Sequence, residues 1–286
     1  MCHTDVYIVV KQKNIDAVNL AKEMIERFDQ SEIDFYSDTH SAELLNCRGI
    51  DWSNSSAKNL NCVLVIGGDG TILSVARQVA HLSIPVLGIN MGRLGFLAEV
   101  NPLYYVDALK NLINGNYTIE ERTMLEAEVF KNDKDPQKLI ALNDIVISKN
   151  SFARLLRFNV FVNEEHFGTF QADGAIVASP TGSTAYSLSA GGPLVYPGLD
   201  VMLVTPICAH VLSARPLVVA GNDVIRIELD SSHSDIAITA DGQDNIKLNE
   251  HDIILVKKAP YKTRFIKVEN KSFYGVLKDR LRAGMM

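Results

Sequence analysis

Val63-Leu64-Val65-Ile66 runs straight into Gly67-Gly68-Asp69-Gly70-Thr71, and from Ile72 onward apolar residues recur at helical spacing: Ile72, Leu73, Val75, Ala76 and Val79. A short β-branched run stopped by glycines and followed by an amphipathic segment reads as strand, tight turn and helix. A continuous apolar strand belongs in a sheet covered on both faces, so this stretch alone points to an α/β arrangement.

Glycines at such a junction let a ligand approach the backbone, and the N–H groups of a helix's first turn favour an anion. A phosphate is the natural occupant. The spacing is not that of a P-loop, which needs Gly-x4-Gly-Lys-Ser/Thr, nor a dinucleotide fingerprint, because Leu73 stands where a third glycine is required. In place of a lysine the turn carries Asp69, whose carboxylate would repel a polyphosphate. Its side chain therefore serves as a base, a ribose hydroxyl acceptor or a metal ligand, or else Asp69 or Thr71 merely caps the helix.

The 286 residues, 47% of them hydrophobic, suffice for two domains with full cores. A net charge of −6 without long runs of one sign gives no reason to expect a nucleic-acid or anionic-membrane partner. Cys2, Cys47, Cys62 and Cys208 are scattered, which disfavours a zinc site or disulfide framework. Together with an N-terminus that turns at once into the strand-like Val6 to Val10, they lead to the expectation of a cytoplasmic protein with no signal peptide. No apolar run reaches the roughly 18 residues of a membrane span.

The N-terminal third alternates strand-like runs (Val6 to Val10, Ile33 to Tyr36, Val63 to Ile66, Ile84 to Ile89) with helical ones (Ile15 to Phe28, Ile72 to Ala80). This predicts a parallel sheet with flanking helices, and in such sheets ligands sit beyond the carboxyl ends of the strands, where Gly67 to Thr71 falls. A second glycine turn, Asn90-Met91-Gly92-Arg93-Leu94-Gly95-Phe96, ends the Ile84 strand and is placed to face the same ligand. His40 to Asn61 shows no sustained periodicity, and Ser53 to Ser56 reads as an exposed connection. A helix is expected from Asn101-Pro102 to Asn114-Gly115.

Beyond Tyr117 short strand-like runs follow one another: Leu125 to Phe130, Leu139 to Ser148, Leu155 to Val162, His166 to Ala172, Ala175 to Ala178, Pro216 to Ala220, Val224 to Leu229, Ile236 to Ala240 and Ile253 to Lys257. Turn residues such as Asp173-Gly174 and Asp241-Gly242 separate them. The expected architecture is an α/β domain with a parallel sheet over 1–100 and an all-β, sandwich-like domain over 101–265. The tail 266–286 is expected to pack back on the first.

Within the β half, Ser179-Pro180-Thr181-Gly182-Ser183-Thr184-Ala185-Tyr186-Ser187-Leu188-Ser189-Ala190-Gly191-Gly192-Pro193 collects hydroxyls, glycines and a tyrosine directly after an apolar strand. Such chemistry suits a nucleoside, or simply a serine-rich turn with Tyr186 in the core. It is not a nucleophile elbow, since Ser187-Leu188-Ser189-Ala190-Gly191 lacks the leading glycine.

Gly67 to Thr71, the pair Asn143-Asp144 and the segment Ser179 to Pro193, in this order, resemble the NAD kinase family. The likeness extends over nearly the whole chain, including Leu212 to Leu217 and Phe273-Tyr274. The glycine turn alone is shared with lipid and sugar kinases; the serine-rich segment makes the match specific. The resemblance implies transfer of a phosphoryl group from ATP, with a divalent ion such as Mg2+, to the 2′-hydroxyl of the adenosine ribose of NAD. It implies Asp69 as the catalytic residue, the base or hydroxyl acceptor at that 2′-oxygen. It assigns NAD binding to Asp69, Gly70, Asn143, Asp144, Arg154, Asp173, Thr184, Ala185, Tyr186, Ser187, Leu188, Ser189 and Gln243, and the donor phosphates to Gly67, Gly68 and Thr71.

The resemblance leaves the metal ligands open and implies a homo-oligomer, dimer or tetramer. The chain departs from the family at Ser179, commonly Thr, and Ala209, commonly Pro. The histidine that follows, His210, lies in an apolar stretch and reads more readily as a hydrogen-bonded core residue than as part of a site. A lipid or sugar kinase and a non-catalytic NAD(P) sensor are the competing classes; a carboxylate in a phosphate turn offers a sensor nothing.

Overall fold

The computed structural model describes residues 4–28, 32–51, 60–92, 95–98, 100–131, 135–149, 155–210, 214–230, 235–268 and 272–283. The chain divides into two compact units, one of Met1–Glu121 with Thr263–Met286 and one of Arg122–Lys262.

In the first unit β1 (Thr4–Val10), α1 (Ile15–Arg27), β2 (Ile33–Ser37), α2 (Thr39–Leu45), β3 (Arg48–Gly49), β4 (Cys62–Gly67), α3 (Asp69–Val79), β5 (Val86–Asn90) and α4 (Tyr105–Ile113) follow in order. The strands pair in parallel as β3-β2-β1-β4-β5. Every residue of β4 is buried, as its unbroken apolar run predicts. Leu64 and Ile66 join Ala17, Ala21 and Met24 of α1 and Leu109 of α4 in one core cluster. Strand periodicity turns Gly88 to the opposite face, where a β-carbon would press on Ile72 of α3. The missing side chain lets α3 lie close against the sheet.

Two features of this unit differ from the sequence expectation. The seven-residue α2 lies in the stretch read as aperiodic; it is too short to show a period and is set by Asp38, whose carboxylate accepts from the amides of His40 and Ser41. The unit also runs to Glu121 rather than 100, because α4 closes the same core as α1. The Ser53 to Ser56 connection lies outside the described residues.

The second unit contains β6 (Thr118–Phe130), β7 (Gln137–Ala141), β8 (Asp144–Lys149), β9 (Leu156–Val162), β10 (Glu165–Ala172), β11 (Gly174–Ala178), α5 (Tyr186–Ser189), β12 (Val201–Ile207), β13 (Leu217–Ala220), β14 (Ile225–Leu229), β15 (Ile236–Ala240), β16 (Asp244–Leu248) and β17 (Ile253–Lys267). The division between the units falls inside β6 and β17. One antiparallel sheet is ordered β13-β12-β11-β8-β15-β16, and β10-β9-β14-β17 forms a second antiparallel layer. Ile145, Ile147, Val177 and Ile238 of the first pack with Phe158, Val160, Ile227 and Ile254 of the second in a common core, as in a sandwich.

The alternating burial of β14 and β15 marks strands with one covered face, whereas β11 is buried throughout. Its outer face packs Ile176 and Ala178 against Val195, so the segment after β11 folds back over its own sheet. The run Leu139 to Ser148 is two strands broken at Leu142-Asn143, and β12 and β16 were not distinguished from the loops around them. The last helix, α6 (Phe273–Ala283), belongs to the first unit, where the Phe273 ring lies 6.5 Å from that of Phe96.

Candidate active site

At the end of β4 the three glycines differ in what requires them. A β-carbon on Gly67 would meet Thr71 Oγ1 at 2.9 Å, so packing demands glycine there. At Gly68 and Gly70 a β-carbon would meet nothing within 4 Å, and neither has positive φ. The fold itself could carry a side chain at both; their absence leaves the backbone open to approach. Gly68 is the N-cap of α3, with no side chain capping it, and its carbonyl accepts from the amides of Thr71 (3.0 Å) and Ile72 (3.2 Å).

Asp69 therefore does not cap the helix. Its carboxylate reaches across to the second glycine turn and accepts from the amides of Phe96 (2.8 Å) and Leu97 (3.4 Å). Gly95 makes this possible, because any β-carbon there would occupy the carboxylate's place. The second turn thus grips Asp69 through residues 95–97; Arg93 and Leu94 lie outside the described residues. Arg280 of α6 stands 3.7 Å away, Nη2 to Oδ2. The carboxylate is held, yet about a third (34%) exposed.

In the second unit Asn143 and Asp144 sit at the start of β8, and the turn after β15 brings Asp241 to them. The Asp241 carboxylate accepts from the amides of Leu142 (2.9 Å), Asn143 (2.8 Å) and Asp144 (3.0 Å), which breaks the apolar run at that point. Asp241 and Gly242 both have positive φ (53° and 64°), the left-handed geometry that Asp-Gly favours. These residues, with Val146, Ser148, Ala185, Tyr186 and Thr239, line a cavity of about 350 Å³, within the range of small-ligand sites. Burial first, and then the neighbouring Asp241 charge, raise the Asp144 carboxyl to about 7, against the Tyr186 backbone amide, which favours the ionised form.

The serine-rich segment commits most of its hydroxyls to hydrogen bonds within the protein. Ser179, Ser183 and Ser187 are fully buried. The Ser179 hydroxyl donates to the Leu142 carbonyl, that of Ser183 to the Pro180 carbonyl (2.7 Å), and Ser187 pairs with Thr205 (3.0 Å). Gly182 is pressed on the Asn143 backbone, where a β-carbon would collide with its carbonyl. What these bonds leave facing the cavity is Ala185 and the half-exposed Tyr186, which is not in the core.

Among the remaining residues implied by the resemblance, Thr184 bonds the Thr181 carbonyl (3.1 Å), and Leu188 and Ser189 lie outside the cavity lining. Asp173 pairs with Lys149 (2.7 Å) at the far end of β8. Gln243 is exposed in the turn beyond Gly242. Arg154 lies outside the described residues. His210 is exposed rather than a core residue, its amide donating to the Gln171 carbonyl. Asp241, read only as a strand separator, organises the site; the Asp-Gly pair was its signal.

A carboxylate held at an open, uncapped helix N-terminus, in a chain that also carries a polar cavity walled by Asn, Asp and Tyr, suits a phosphotransferase acting on a nucleotide-like acceptor. Sequence comparison agrees: residues 6–117 match the ATP-NAD kinase N-terminal domain and residues 142–268 the ATP-NAD kinase C-terminal domain. The chain belongs to the NAD kinase family. It is 48% identical over 219 residues to the NAD kinase of Caldanaerobacter subterraneus subsp. tengcongensis, covering 77% of each chain. With the NAD kinase of Desulforamulus reducens it shares 40% identity over 277 residues, 96% of each. Yeast NADH kinase complexed with NADH has a similar structure (TM-score 0.85, 27% identity, 96% of this chain and 85% of that one). The NAD kinase from Archaeoglobus fulgidus in complex with ATP shares the fold (TM-score 0.74, 24% identity, 98% and 99% covered).

Proposed function

We propose that the protein transfers the γ-phosphoryl group of ATP to the 2′-hydroxyl of the adenosine ribose of NAD, giving NADP and ADP. The observation that carries this reading is the Gly67-Gly68-Asp69-Gly70 turn, where two glycines the fold does not need expose backbone beside a carboxylate held in place. The turn's amides would hold the donor phosphates, with Thr71 behind Gly67 fixing its shape. Asp69 would accept the proton of the 2′-hydroxyl as that oxygen bonds to the γ-phosphorus and the bond to the bridging oxygen of ADP breaks.

NAD would be taken by Asn143, Asp144, Ala185 and Tyr186, with Asp144 at a ribose hydroxyl and the Tyr186 ring packing on a base. Gly70, Arg154, Asp173, Thr184, Ser187, Leu188, Ser189 and Gln243 stay in the reading as residues implied by the family; the internal bonds of Ser187 and Thr184 favour a supporting role. A divalent ion, Mg2+ in this reading, would neutralise phosphate charge. Among the described residues no three His, Cys, Asp or Glu side chains are grouped so as to hold a metal ion.

The exposed Leu194, Tyr196, Leu199 and Val218 support assembly into a dimer or tetramer. The free Cys47, Cys62 and Cys208 support a cytoplasmic setting. No helix among the described residues is long and apolar enough to cross a membrane.

The test is NADP formation from NAD, ATP and Mg2+ by the purified protein, read through an NADP-specific dehydrogenase, with Asp69→Asn in parallel. We expect product from the wild type and at least about a hundredfold lower kcat from the variant. A variant of near wild-type turnover removes Asp69 as the base. A wild type that binds NAD without product returns the protein to the sensor class.

A further inference from the structure

The mechanism above gives no part to α6, yet this helix brings a cation to the glycine turn. Arg280 lies with its guanidinium 5.5 Å over the Phe96 ring, and Nη2 is 3.7 Å from Asp69 Oδ2. Phe96 is in turn packed on Phe273 of the same helix, so the two aromatic rings set where Arg280 stands. An arginine serving only the C-terminal dipole of its own helix would turn toward the last carbonyls, a role open to the exposed Arg282 in the same turn.

The arginine is not needed to hold Asp69. That carboxylate already has the Phe96 amide at 2.8 Å and the Leu97 amide at 3.4 Å, while 3.7 Å is beyond hydrogen-bond reach. Both side chains are about a third exposed (35% and 34%), where an ion pair is worth little. The guanidinium is not spent on a protein acceptor through Nε, which is buried with no hydrogen-bond partner, and its side chain is 35% exposed. A planar, permanently charged group beside the residue that opens α3 suits an anionic oxygen.

We propose that Arg280 is a catalytic residue that contacts the phosphoryl group in transfer, neutralising the charge on its oxygens while Asp69 takes the acceptor's proton. The assignment rests on the reading of the glycine turn as the donor-phosphate site. Transfer spreads charge over the phosphoryl oxygens, so a fixed cation there acts most strongly in the transition state. Asp69 and Arg280 then form one device, the carboxylate gripped by amides and the cation stacked on the ring between them in sequence.

The experiment is steady-state kinetics of the wild type, Arg280→Gln and Arg280→Met with ATP, Mg2+ and NAD, alongside NAD titration and thermal melting. The Met variant keeps the apolar stem over Phe96 without the charge. We expect kcat to fall about a hundredfold in both, with or without a rise in KM for ATP, while NAD affinity and melting temperature stay at wild-type values. Turnover within about threefold of wild type in either folded variant overturns the assignment. So does a loss of activity that tracks lost NAD affinity or a lower melting temperature, or failure of both variants to fold, since each makes Arg280 a structural anchor. A wild type that forms no NADP fails the reading of the turn instead, which separates the two outcomes.

Discussion

The Asp69 carboxylate fills the space in which a side chain at Gly95 would stand, and in that position it is fastened by the amides of Phe96 and Leu97. Two residues far apart in sequence thereby share one small volume. Gly95→Ala would drive the carboxylate off its amides without touching the apolar core. We expect kcat to fall about a hundredfold, in the range of a lost or misplaced base, with the α/β unit still folded. Coupled-assay kinetics and far-ultraviolet circular dichroism on the same preparation decide it; wild-type turnover would mean that Asp69 needs no fixing.

Gly70→Ala makes the opposite demand. A β-carbon there meets no protein atom within 4 Å, and alanine favours a helix over glycine by about 1 kcal/mol. Stability should be unchanged or slightly raised. If the donor phosphates lie against this backbone, KM for ATP should rise at least about tenfold, the loss expected of a displaced charged contact. An unchanged KM would place the phosphates elsewhere.

Asp241→Ala removes the acceptor of three backbone amides at once. A destabilisation of about 3 kcal/mol is expected, several times that of an ordinary surface substitution. NAD affinity should fall with it, because the Asn143-Asp144 pair loses its support. Urea unfolding and NAD titration measure the two effects, and a variant of native stability would show that water replaces the carboxylate at no cost.

The Asp144 carboxyl is raised from its ordinary 3.8 to about 7 in the folded protein. Between these values the folded chain binds the proton more tightly than the unfolded one, so this group's contribution to stability is full below about pH 4 and is lost as pH rises through 7. Asp144→Asn has no charge to bury. Its stability relative to the wild type should therefore improve between pH 5 and pH 8, read from urea midpoints at both. A gap independent of pH would show that Asp144 titrates as an ordinary carboxylate.

Much of this was legible in the chain. The strand, turn and helix around Gly67 follow from an apolar run meeting glycines, and α1 ends at Arg27 with Phe28 as its C-cap, within one residue of the end its periodicity predicts. The β half was recognisable from turn residues at regular intervals. Less visible were α2, shorter than two full periods, and β12, whose even hydrophobicity has no alternation to mark it. The hydroxyls of the serine-rich segment were legible as chemistry but not as partners, since composition cannot tell a hydroxyl that binds a ligand from one that fastens its own loop. Ser187 is the instance: its bond to Thr205 depends on a strand that lies beyond the segment.

By itself the sequence determined the alternation of elements and the family, and it singled out Asp69 as the candidate carboxylate, because these depend on local period and on residue types held close along the chain. Only the tertiary structure decided what holds that carboxylate, which glycines the fold requires and which it leaves open, and how Asp241 and Arg280 come to stand beside Asp144 and Asp69. Each of those is a contact between residues distant along the chain, set by sheet register and helix packing, and neither the spacing nor the composition of a local segment encodes such a distance.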